Sequence, residues 1–205
     1  PRTEFAPSRG MNWKLEVRVK KLVIMIAAAA AAMAQAPDWK TFSGSAKGLQ
    51  TGVKGNLIKA AEKMPEEFYG LRPGTQEEVR TFGQHVAHVA TFNFLWCSQA
   101  KGEKNPNAGN QLEKTLKTKA EFIKAVTEAF AYCDSVYAGI NDQNGAEVVE
   151  ITQENGNKTR QARLALLTLN VIHNNEVYGS MVTTLRIKNI VPSSSEPRPA
   201  MPAAR

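Results

Sequence analysis

Apolar residues along this chain return at intervals of three and four, the signature of helices with one buried stripe. Leu49, Val53, Leu57, Ala60 and Met64 form the first stripe, weakened by Gly48, Gly52 and Gly55 and closed by Pro65. PEEFYGLRPG, residues 65–74, reads as a loop with Phe68, Tyr69 and Leu71 tucked against the fold. A second helix opens at Thr81-Phe82-Gly83-Gln84, which has the form of a capping box, and runs to about Ala100; Thr75 to Glu78 offers an earlier box. Residues 102–111, GEKNPNAGNQ, carry loop signals throughout. Phe122, Ile123, Val126, Ala129, Phe130 and Cys133 mark a third helix over 111–137. Val148, Val149 and Ile151, followed by Asn155-Gly156, suit a small hairpin within an irregular stretch. A fourth helix is expected from Thr159 to Lys188, with Leu166, Leu169, His173 and Val177 on one face. The Pro/Ser/Ala-rich tail, residues 192–205, is expected to be disordered. Four such helices with no run of strands and no repeat predict an all-α four-helix bundle.

The N-terminal region does not fit that pattern. From Met11 a basic stretch ending in Lys20-Lys21 leads into twelve apolar residues, Leu22 to Met33, and then small residues. This is the anatomy of a secretory signal peptide over residues 11–34, with cleavage expected after Ala34 or next after Ala36. The apolar run is shorter than the roughly 20 residues of a membrane-spanning helix, so no stable anchor is expected after processing. Residues 1–10 read as upstream sequence, leaving a bundle domain over 35–191 and a secreted or periplasmic location.

Charge adds little once the leader is set aside. The 205 residues carry a formal +7, but residues 1–34 hold six of the 26 basic and two of the 19 acidic groups. The remaining 20 basic and 17 acidic residues give no electrostatic case for nucleic acid. Lys114, Lys117, Lys119 and Lys124 read as the wet side of helix three, and Asn157-Lys158-Thr159 is a sequon of use only to a glycosylating host. Cys97 and Cys133 fall late in two helices. Antiparallel neighbours would hold them tens of ångströms apart as buried thiols; only parallel helices across a long connection permit a bond.

Of the three histidines, His85 and His88 lie in helix two and His173 in helix four. GQHVAHVA (83–90), PEEFYGLRP (65–73) and HNNEVYGSMVTTLRIKNIVP (173–192) together resemble the DinB-like superfamily of four-helix bundles over about residues 45–192. The resemblance implies a divalent metal, zinc, nickel or iron, held by one histidine of helix two and an H-x-x-x-H pair of helix four. By position these are His88 and His173, and the third place is taken by Val177. His85 and Glu176, each three residues from a ligand position, are the candidate substitutes. The resemblance also implies metal-dependent thiol S-transferase or isomerase chemistry on a small-molecule ligand. The alternative is an exported, non-enzymatic binding or stress-associated module whose metal site has degenerated. A homodimer is compatible with such bundles. The sequence contains no phosphate-binding G-x-x-x-x-G-K-[ST], C-x-x-C, H-E-x-x-H or G-x-S-x-G motif.

Overall fold

The computed structural model describes residues 37–153 and 156–197. The expected signal peptide, the residues before it and the end of the tail lie outside these. Four long helices dominate: α1 (Phe42–Lys63), α2 (Phe82–Lys101), α3 (Lys119–Gly139) and α4 (Arg163–Ile187). Among the described residues no helix is long and apolar enough to cross a membrane.

Local chemistry sets the boundaries. Thr81 and Gln84 form the expected capping box, so α2 starts there and the earlier box is unused. A second capping box, Thr118 with Glu121, starts α3 at Lys119 and not at 111; Leu112–Thr115 is a separate single turn. The hairpin is present, with β1 (Val148–Thr152) pairing antiparallel to β2 (Lys158–Ala162) in the register Val148↔Ala162. Its second strand takes the residues assigned above to the start of the fourth helix, which begins only at Arg163.

Side-chain and backbone contacts give the topology. Ser43 N–H donates to the Asp142 carboxylate at 2.7 Å, Lys54 pairs with Asp134, and Lys119 Nζ donates to the Met64 carbonyl at 2.8 Å. α1 and α3 are therefore antiparallel. Arg163 Nη1 donates to the Ala100 carbonyl at 2.9 Å while His173 meets His88 further along, so α2 and α4 are antiparallel too. Gly83 abuts Phe122 at one end of α2 and α3, and Cys97 is bonded to Cys133 at the other. These two helices run parallel, joined by the long connection 102–118, giving an up-down-down-up bundle. Of the two arrangements open to the cysteines, the parallel one is present: the crossover brings them to a Cα–Cα distance of 5.4 Å, and they form a disulfide.

Two apolar positions are turned outward relative to expectation. Leu49 is 54% and Leu169 41% exposed, while Gln50, Asn170 and Asn174 are buried. The inner stripe of α1 runs through Ala46, Gln50, Val53 and Leu57, and that of α4 through Leu167, Asn170, Asn174 and Val177. Polar residues occupy places that hydropathy assigns to leucine. The first residues expected in the tail are bonded to the bundle. Ser193 Oγ donates to Asn56, Ser194 N–H donates to Tyr178 Oη at 3.1 Å, and Lys63 pairs with Glu196, so residues 192–197 are strapped across α1 and α4.

A Cβ at Gly83 would stand 2.8 Å from Phe122 and 3.2 Å from Tyr69, both core rings, whereas one at Gly179 meets nothing within 4 Å. Gly83→Val is therefore expected to destabilise by about 1–3 kcal/mol through overpacking, and Gly179→Ala to stabilise by up to about 1 kcal/mol through helix propensity. Thermal unfolding of both variants checks the pair; equal shifts would contradict the packing.

Candidate functional site

His88, Phe92 and Trp96 stand at successive four-residue steps on α2, one face of the helix. Because α4 runs antiparallel against that face, His173 reaches His88, with the two Nε2 atoms 3.0 Å apart. The His173 ring packs against Phe92 and edge-on against Trp96, with centroids 4.7 and 4.8 Å away. The single turn Leu112–Thr115 then lays Glu113 over the other side of His88. Glu113 Oε1 lies 2.6 Å from His88 Nδ1, and Arg80 Nε donates to Glu113 Oε2 at 2.8 Å.

This chain of contacts constrains the protons. Burial raises the Glu113 carboxyl, but the hydrogen bonds from His88 and Arg80, with their charges, outweigh it and hold the group at about 2. An ionised carboxylate only accepts, so His88 Nδ1 carries a hydrogen. One Nε2–H donates to the other Nε2 across this contact, and His173 Nδ1 is buried beside it. Burial, then the neighbouring His88, lowers His173 to about 4. His85 is likewise lowered to about 4, by burial first and by Arg80 and His88 next.

Acid stability follows from these shifts. Unfolded histidine takes its proton near pH 6.5, while buried His85 and His173 resist it until about 4. Stability is fully present above pH 6.5 and falls between 6.5 and 4. Glu113, ordinarily near 4.5, extends the loss from there toward 2. Calorimetric Tm values should therefore fall from pH 7 to pH 3, and His173→Asn should flatten the upper part of that fall. A Tm that rises on acidification to pH 5 would refute the assignment.

The structure brings His88 and His173 together. Glu176 is exposed, and His85 makes no hydrogen bond or ring contact with the pair among the described residues. Val177 is buried. Among the described residues no group of three or more histidine, cysteine, aspartate or glutamate side chains is placed to hold a metal ion. Catalytic zinc centres ordinarily use three protein ligands. Two imidazoles and a valine do not supply that set, so the donor set does not fit the centre that the resemblance implies.

Sequence reasoning missed Glu113, Arg80, Phe92 and Trp96. The 88-92-96 spacing was a usable signal for the aromatic wall, since it continues the histidine's own face. No pattern announced Glu113, which acts from a single turn between two helices.

No curated protein matches the chain in sequence. The crystal structure of a DinB-like protein, YjoA from Bacillus subtilis, superimposes with a TM-score of 0.56 at 15% identity, covering 72% of this chain and 94% of that one. That likeness establishes the fold. The sequence profile of the DinB superfamily (DinB_2) matches residues 52–177, which span most of α1, all of α2 and α3, and α4 as far as Val177. With the helical bundle and the paired His88 and His173 in place, the chain belongs to the DinB superfamily.

Proposed function

We propose that this domain is an exported, non-enzymatic member of its superfamily, in which the former metal position has become a structural brace. The observation that carries the reading is the direct contact of the two Nε2 atoms at 3.0 Å, with buried Val177 where a third ligand would stand. Glu113, His88 and His173 then link the crossover connection, α2 and α4 in one hydrogen-bonded line. Export is supported by the leader-like pattern of residues 11–34 and by the disulfide, a bond that persists in oxidising compartments. Elemental analysis of protein purified without chelator or histidine tag tests the proposal. Substoichiometric zinc, nickel and iron are expected; one tightly held ion per chain would overturn it.

A second reading keeps the metal, and one observation favours it. A metal-bound imidazole usually donates its other N–H to a carboxylate, as His88 does to Glu113. In that reading His88 and His173 hold the ion, which would acidify the thiol of a small-molecule substrate. Stoichiometric metal, together with metal-dependent consumption of a thiol by an electrophile, would establish it.

A further inference from the structure

The bundle core is divided in two. One apolar cluster contains Val53, Ala90, Phe130 and Val177, and the other contains Ala46, Cys97, Cys133 and Val171. Along α1 the boundary falls at Gln50, between Ala46 and Val53; along α2 at Asn93, between Ala90 and Cys97; along α4 at Asn174, between Val171 and Val177. These three side chains mark the same boundary on three helices, and each, like Asn170, is at most 2% exposed.

The layer is partly bonded. Asn93 Oδ1 accepts from Asn170 Nδ2 at 2.6 Å and from Asn174 Nδ2 at 2.8 Å. Tyr137 Oη donates to the Leu167 carbonyl at 2.7 Å and approaches Asn170 Oδ1 at 3.3 Å. What remains is a complementary set with no protein partner: the donors Asn93 Nδ2 and Gln50 Nε2, and the acceptors Asn174 Oδ1 and Gln50 Oε1. Leaving a buried polar group unmet costs about 1–3 kcal/mol, while immobilising a water costs about 2 kcal/mol at most. A buried water typically makes about three hydrogen bonds to such groups.

We propose that this layer is an internal hydration site, in which at least one ordered water accepts from Asn93 Nδ2, donates to Asn174 Oδ1 and bonds the Gln50 amide. Asn174 directly follows His173, so the layer borders the His88–His173 contact. A dry apolar core would have no use for Gln50 at this position; a hydrated one gains from it both a donor and an acceptor.

The test is a crystal structure of the full chain at a resolution that shows waters, paired with water-to-amide cross-relaxation in solution. The expected result is a water within hydrogen-bonding distance of Asn93 Nδ2 and Asn174 Oδ1. The side-chain amide protons of these residues should show nuclear and rotating-frame Overhauser effects of opposite sign to water, as for a long-resident molecule. Density in which the Gln50 amide bonds Asn93 or Asn174 directly, with no water between, would overturn the proposal. So would amide protons without any cross-relaxation to water.

Discussion

Replacing Val177 with histidine is expected to raise zinc or nickel affinity by about two orders of magnitude or more, because it converts a two-nitrogen contact into a three-ligand centre. Residue 177 stands one helical turn beyond His173 and is buried, so an imidazole there shares the face on which His173 already meets His88. Glu113 is in place to orient His88. Isothermal titration of both proteins with zinc reads the effect directly. Thermal unfolding gives an independent check, since a ligand at 100 times its Kd stabilises by about 2.7 kcal/mol. The variant should gain metal-dependent Tm that the natural chain lacks. Equally tight binding by both would mean that a third ligand already exists and would restore the metal reading; failure of both would leave His88 and His173 as a brace alone.

The second large effect belongs to the disulfide. Cys97 and Cys133 are separated by 36 residues and wholly buried. Closing a loop of that length in the unfolded chain corresponds to about 4 kcal/mol on the chain-entropy account. The double substitution to serine or alanine should lower Tm by about 8–16 °C, at about 2–4 °C per kcal/mol for a domain of this size. Because both sulfurs are buried, reductant should act on the folded protein only slowly, and denaturant should accelerate it. Unchanged denaturant midpoints with and without reductant would show that the bond is absent or carries no constraint.

The fold was largely legible from the chain because its signals were local. Thr81 and Gln84 announced their helix end, and the stripes from Val53 to Met64 and from Phe122 to Cys133 showed their helical faces. Errors arose where a tertiary fact outweighed a local one. Hydropathy placed Leu49 and Leu169 inside, but the helices are rotated so that Gln50, Asn170 and Asn174 face the interior, where Asn93 meets the two asparagines. No periodicity can show this, because the buried polar residues are chosen by partners on other helices. The disulfide stayed open for a similar reason: cysteine positions do not tell whether two successive helices run parallel. At the site, His88 and His173 were found by residue type and position, whereas Glu113 lies outside any periodic segment and becomes visible only when the connection folds back.

The strap at the chain's end has a consequence for synthesis. α1 lies beside α4, and Ser193 and Glu196 bond to Asn56 and Lys63 across separations of 137 and 133 residues. A chain emerging at about 5–20 residues per second therefore leaves the face of α1 destined for α4 without its neighbour until α4 has followed. The α2–α3 pair, by contrast, can dock and become cross-linked earlier. The face of α1 toward α4 is thus among the last surfaces to be covered, while its face toward α3 can be met earlier.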